Sequence, residues 1–179
     1  MRITVSGLPG SGTTSISRYL AEHHGFDMIS AGEAFRQLAK EHNLTLAEFG
    51  RLAEQDPAFD KMIDARQKEI AQTQNNIIVE GRLSGWMVSP ADLKIWLYAP
   101  IGCRIKRIAT RDEVTDEKTA EALTLEREAC EAGRYCSYYD IDISDLSIYH
   151  LVLDSERWNI EGLGAIVDTA ISQLKKNES

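Results

Sequence analysis

Apolar residues recur along the chain in two rhythms. Short runs rich in β-branched and aromatic residues, "RITVS" (2–6), "FDMIS" (26–30), "NIIVE" (76–80), "LKIWLYA" (93–99) and "YHLVLD" (149–154), predict five strands. Longer stretches between them carry apolar residues three and four apart, beginning with "TTSISRYLAEHH" (13–24), and predict helices. Strand and helix alternate from end to end, which is the order that builds βαβ units. The expected fold class is α/β, a three-layer sandwich around a five-stranded parallel sheet, with no internal repeat.

Two connections exceed what a crossover needs. Residues 31–75 contain several helical patterns, among them "TLAEFGRLAE" (45–54) and "PAFDKMIDARQKEIAQ" (57–72), where Pro57 suits a first helical turn. The segment after the fourth strand is also helical and includes "RDEVTDEKTAEALTLEREACEAGR" (111–134), whose polarity predicts little burial. One domain over 1–179 is expected, with a core of 1–30, 76–103 and 149–179 and mobile insertions over about 31–75 and about 104–148. The tail "KKNES" is expected to fray.

Composition narrows the function. The 179 residues suffice for one sizeable core, and 43% hydrophobic with 27% charged residues excludes a disordered or fibrous chain. A net charge of −8 disfavours nucleic acid and anionic membranes as partners, so a polyanionic substrate needs a local cluster of cations. Met1 runs straight into "RITVSG" without an apolar leader, and no later apolar run spans a bilayer. A cytoplasmic monomer is expected. Cys103, Cys130 and Cys136 have neither metal-ligand spacing nor an even count, and are expected as reduced, partly buried thiols. His23, His24, His42 and His150 are scattered, the adjacent pair is not expected to share a face, and no metal site is expected on them.

The chemistry concentrates after the first strand. Gly7-Leu8-Pro9-Gly10-Ser11-Gly12-Thr13-Thr14 matches the phosphate-loop spacing G-x-x-x-x-G-K-[ST] except that Thr13 stands in the lysine's place. A strand enters this stretch and a helix leaves it, so the loop of Gly7 to Ser15, through the backbone N–H groups of its residues other than Pro9, and the helix N-terminus can converge on phosphate oxygens. Thr14 is placed to ligate Mg²⁺ through its hydroxyl. Read blandly, the loop is a glycine-rich turn with Thr13 or Thr14 as a helix cap. Loss of one preorganised donor of the lysine's kind costs about 10²- to 10³-fold in rate, and arginines from elsewhere can compensate.

Such arginines are available. Arg36 follows the second predicted strand and Arg82 the third, where an open α/β sheet forms its ligand crevice. Arg104, Arg107 and Arg111 stand in "RIKRIATR", while Arg127 and Arg134 are seven residues apart on one helix face. For Arg104 and Lys106 ordinary solvated charge is an equal alternative. Arginine suits the task because its planar fork grips two phosphate oxygens. Glu80 closes an apolar strand and can hold Mg²⁺ through water, or act as a cap.

Together "SGLPGSGTT", "ISAGEAFR", "IIVEGRLSGWM", "IWLYAP" and the R-x-x-x-E-x-x-R pattern of "REACEAGR" resemble nucleoside monophosphate kinases, most closely cytidylate kinases of the archaeal type. The resemblance covers essentially the whole chain and includes the lysine-free "GTT" loop. It implies a P-loop kinase core with a monophosphate-binding insertion and a lid closing over ATP. It also implies phosphoryl transfer from MgATP to CMP, and to dCMP, with Mg²⁺ as cofactor.

Carried over by residue, the resemblance makes Arg36 and Arg82 grips on the acceptor's phosphate. Arg127 and Arg134 then bind the acceptor and the transferring group, while Arg107 and Arg111 stack on the donor adenine and hold its phosphates. Arg82, Arg111, Arg127 and Arg134 are thus the expected catalytic set. Glu131 corresponds to an aspartate facing the base, where it accepts from cytosine's amino group and repels uracil's oxygen; a surface glutamate paired with Arg127 or Arg134 is the plain alternative. Ala31 stands where bacterial enzymes have a base-contacting serine, so Ser30 or a backbone group replaces it, with Gly32 beside it. Gly32 and Gly133 are candidate flexible points. Adenylate or uridylate kinase is the nearest rival activity, and a non-catalytic nucleotide-binding module is the rival of another class.

Overall fold

Each of the five predicted strands forms: β1 (Arg2–Gly7), β2 (Asp27–Ser30), β3 (Ile77–Glu80), β4 (Leu93–Tyr98) and β5 (Leu151–Asp154). All pairs are parallel, in the order β2-β3-β1-β4-β5. The computed structural model describes residues 1–56, 58–114 and 116–177, so the first-turn expectation for Pro57 lies outside the described residues. The strands are short, and the inner ones, β1, β3 and β4, are the most buried, as parallel pairing with both faces covered requires.

One face carries Ile3, Val5, Ile78, Ile95 and Leu97 against Ile16 and Leu20 of α1 (Thr13–His24) and Leu163, Val167 and Ile171 of α8 (Ile160–Asn177). The other carries Ile77 and Val79 with Val88 and Ala71, the last from α4 (Ala58–Thr73). Helix, sheet and helix make the expected three layers. Helix α8 runs through Asn177, so most of the tail expected to fray is helical; Glu178 and Ser179 lie outside the described residues.

The first long connection folds as α2 (Ala31–Glu41), α3 (Leu46–Gln55) and α4. It has its own small core, in which fully buried Phe49 meets the rings of Phe35 at 4.8 Å and Phe59 at 5.1 Å. Thr45 and Glu48 form a reciprocal capping box at the start of α3, which satisfies donors that a free helix end leaves open. After the short α5 (Ser84–Met87) and β4 come α6 (Ile101–Arg111) and the 23-residue α7 (Glu117–Tyr139).

Two expectations are corrected here. Helix α7 was expected to bury little, yet it buries Glu131, Arg134 and Tyr135, because its inward charges are paired rather than solvated. His23 and His24 were not expected to share a face, yet both reach Asp168 of α8, at 3.5 and 2.8 Å. Imidazole rings are long enough to converge on one carboxylate from adjacent positions. Cys103 and Cys130 are partly buried thiols outside any disulfide, as expected, whereas Cys136 is exposed.

Candidate active site

The loop between β1 and α1 is fixed by its glycines. A Cβ on Gly7 would lie 2.4 Å from Ser11 Oγ and 2.5 Å from the Leu97 carbonyl, so no side chain fits. Gly10 and Gly12 have φ of 79° and 91°, the left-handed region that glycine enters without penalty. Gly12 is the residue before α1 and no side chain caps the helix, which leaves its first N–H groups turned to the loop. Thr13 and Thr14 are therefore not caps.

Strand register decides what Thr13 does instead. Glu80 lies beside Ser30 of β2 and Val5 of β1, on the sheet face under α1. Thr13 Oγ1 donates to Glu80 Oε1 at 2.6 Å, and Ser30 Oγ donates to Glu80 Oε2. Ser30 Oγ also accepts the Glu33 N–H at 3.1 Å and so caps α2. One buried carboxylate thus joins the lysine position of the loop to the start of the first insertion. The Ser30 hydroxyl gives its one proton to Glu80 and keeps one acceptor position beyond the Glu33 N–H, while it also sets the placement of α2.

The arginines converge as expected. A cavity of about 80 Å³ is bordered by Gly10, Thr13 and Thr14 of the loop, Gly32 and Arg36 of α2, and Arg82, Arg111, Arg127 and Arg134. Arg36 has its guanidinium pushed below the ordinary arginine value by burial and by the like charges of Arg111 and Arg127. Such mutual repulsion is what a polyanion relieves. Arg111 holds Asp112 with two bonds of 2.7 Å, and although burial pushes that carboxyl up, the arginine brings it below its usual value.

Arg82 and Glu131 are the buried heart of the site. Arg82 Nε donates to Glu131 Oε2 at 2.7 Å while its Nη1 donates to the Gly7 carbonyl. Arg127 Nε donates to Glu131 Oε1 at 2.7 Å, from one turn away on α7. Burial pushes the Glu131 carboxyl up, but Arg82 and Arg127 outweigh it and hold it at about 2. The plain alternative for Glu131 holds in its pairing with Arg127, but the residue is buried rather than on the surface, and its second partner is Arg82. Arg134 instead meets Cys130 Sγ at 2.7 Å and lies over the Phe35 ring at 5.8 Å.

A second cavity, of about 790 Å³, opens on the other side of the loop and is bordered by Gly12, Thr14, Ser15, Arg107, Trp158 and Asn159. Arg107 donates to Ser155 Oγ at 2.9 Å and to the Ser155 carbonyl at 2.7 Å, which ties α6 to the segment after β5. Thr14 and Arg36 border both cavities, so a ligand in one can meet a ligand in the other at these residues.

Sequence reasoning missed the clamp behind the loop. Arg104 is 5% exposed and donates to the carbonyls of Ala99 at 3.0 Å and Pro9 at 3.1 Å, and to Glu128. Solvated charge is excluded for it. The signal was in the pattern: Arg104 and Ile108 are one helical turn apart, both buried, so Arg104 lies on the apolar stripe of α6. Ser155, Trp158 and Asp64 also border the cavities and carried no motif, and Phe35 stood inside "ISAGEAFR" without being singled out. Gly133, a candidate flexible point, sits inside α7 without left-handed backbone, and Gly32 lies in the first turn of α2.

Residues 2–157 match the model of the cytidylate kinase-like family. A cytidylate kinase from Methanoregula boonei is 72% identical over 98% of this chain and 97% of its own length. Another, from Methanospirillum hungatei, is 61% identical over 99% of this chain and 100% of its own. Among solved structures, shikimate kinase from Bacteroides thetaiotaomicron superposes with a TM-score of 0.64 over 96% of this chain and 98% of its own, at 12% identity, and so speaks to the fold alone. Among the described residues no helix is long and apolar enough to cross a membrane.

Proposed function

The chain belongs to the cytidylate kinase-like family, a nucleoside monophosphate kinase by that kinship, and we propose that it transfers the γ-phosphoryl group of MgATP to CMP and dCMP, giving ADP and the corresponding diphosphate. The observation that carries this reading is the mutually repelling set Arg36, Arg111 and Arg127 beside a glycine loop, between two cavities that meet at Thr14. A binder of one nucleotide has no need of cations matched to a second phosphate.

The larger cavity takes the donor, with the loop of Gly7 to Ser15 around its phosphates, N–H groups of Gly10, Gly12, Thr13 and Thr14 among them, and Arg107 near its base. The smaller cavity belongs to the acceptor site, with Arg36, Arg82, Arg127 and Arg134 gathered around the acceptor's phosphate and Gly32 leaving room. Residues 31–75 form the acceptor insertion, and the α6–α7 segment within 104–148 closes over the donor. The acceptor's attacking group is already an anionic oxygen, so the protein aligns the two phosphates and spreads the charge that develops between them. Closure keeps out water, the competing acceptor.

Mg²⁺ fits the residues present. Thr14 offers a partly exposed hydroxyl between the cavities, and the carboxylate of Glu80 keeps acceptor capacity beyond its two hydroxyl donors for a metal-bound water. When bound, the ion supplies neutralisation of phosphate charge. The partners on this reading are soluble nucleotides, met by a monomer in the cytoplasm.

The test is initial rates of ADP formation with CMP, dCMP, UMP and AMP as acceptors. Turnover selective for the cytidine nucleotides is expected. Binding of ATP without turnover on any acceptor contradicts the reading.

A further inference from the structure

The acceptor cavity is walled unequally, and this inference rests on the acceptor reading just given. Its arginines come from α2, α6 and α7 and from the turn after β3. The wall supplied by α4 and the later part of α7 is apolar and aromatic, with Ile63 and Tyr135 each 8% exposed and Phe35 facing them from α2. Of the carboxylates that border the cavity, Glu80 and Glu131 lie among the loop and the arginines, and Asp64 of α4 stands in that wall.

Asp64 is held in place. Tyr139 Oη, one helical turn beyond Tyr135 on α7, donates to Asp64 Oδ2 at 2.7 Å. An acceptor-only group set in an aromatic surface suits a flat ring with N–H donors on its edge. The exocyclic amino group of cytosine is such a donor, whereas uracil presents an oxygen there and is repelled.

Glu131 is the carboxylate that the resemblance assigned to the base, and its surroundings argue against that role. Both of its oxygens accept an arginine Nε, from Arg82 and Arg127, and its side chain is 8% exposed. A base amino group would have to approach a buried carboxylate whose charge two guanidinium groups already neutralise, so it gains little there beside the bonds already made. We infer that Asp64 determines base specificity by accepting from the amino group of the acceptor base, and that Glu131 is a positioning residue that sets Arg82 and Arg127.

The two roles separate in one experiment. Wild type, Asp64→Asn, Tyr139→Phe and Glu131→Gln are each given CMP or UMP, and kcat and KM are measured for both. An asparagine can turn its amide to donate to uracil's oxygen, so Asp64→Asn lowers the CMP to UMP ratio of kcat/KM by about tenfold or more. Tyr139→Phe lowers that ratio in the same direction by a smaller factor, which keeps the test open if the first variant fails to fold. Glu131→Gln lowers kcat for both acceptors and leaves their ratio in place. An unchanged ratio in Asp64→Asn, or a ratio relaxed by Glu131→Gln, overturns the inference while leaving the kinase reading intact. Absence of wild-type turnover on every acceptor is the different result that removes both.

Discussion

Thr13 and Glu80 are joined by a 2.6 Å hydrogen bond at the point of the loop where lysine ordinarily stands. The threonine cannot reach a phosphate as lysine does; it turns inward to a carboxylate that also receives Ser30, the cap of α2. Donor loop and acceptor insertion therefore share one buried group. Thr13→Val removes the donor and leaves a buried carboxylate oxygen underbonded, which costs about 1.5–3 kcal/mol. Because α2 carries Arg36, the KM for CMP rises together with that for ATP, and Thr13→Ser restores both. Urea unfolding and steady-state kinetics read the two effects.

Glu131 makes stability depend on pH in a stated direction. Its carboxyl titrates at about 2 in the folded protein against an ordinary 4.5, because Arg82 and Arg127 outweigh burial. A depressed carboxyl contributes stability that is full above the unfolded value and is lost as pH falls through the folded one. Glu131→Gln leaves two arginines without their counter-charge and destabilises by about 3–5 kcal/mol at pH 7. The gap between wild type and variant narrows from about pH 4.5 to 2, as denaturation midpoints across that range will register.

Removing Arg36 separates stability from function. Its charge is opposed by burial and by Arg111 and Arg127 in the ligand-free protein. Arg36→Gln is expected to leave the melting temperature unchanged or raise it, while kcat/KM for CMP falls by about 10²-fold or more. A melting curve without ligand beside an activity assay tests both halves.

Arg104 behaves in the opposite way. Arg104→Ala strips Glu128 of its partner and frees the carbonyls of Pro9 and Ala99, so a loss of about 3–5 kcal/mol follows. The KM for ATP rises because the Pro9–Gly10 corner loses its support, as thermal unfolding and donor titration will show.

The strands, the two helical insertions and the loop were legible because each rests on local pattern: branched runs for β1 and β3, helical spacing for α1, glycines at the turn before α1. Arg36, Arg82, Arg111 and Arg127 were legible because they follow strands or sit in recognisable spacings, and one cavity gathers them. What remained hidden depends on register and long-range approach. Glu80 meets Thr13 only because β3 lies beside β1 with Glu80 opposite Val5. Glu131 meets Arg82 across 49 residues of chain, and Asp64 meets Tyr139 across 75. No periodicity within one helix encodes such pairs.

The central claim is that a loop with Thr13 in place of lysine still supports phosphoryl transfer to CMP. Its most direct test follows label from [γ-³²P]ATP, with the purified protein, Mg²⁺ and unlabelled CMP, beside Arg82→Ala. Label in CDP is expected with the wild type, and a loss of about 10²-fold or more in the variant. Label appearing only as inorganic phosphate, or staying in ATP, would contradict it.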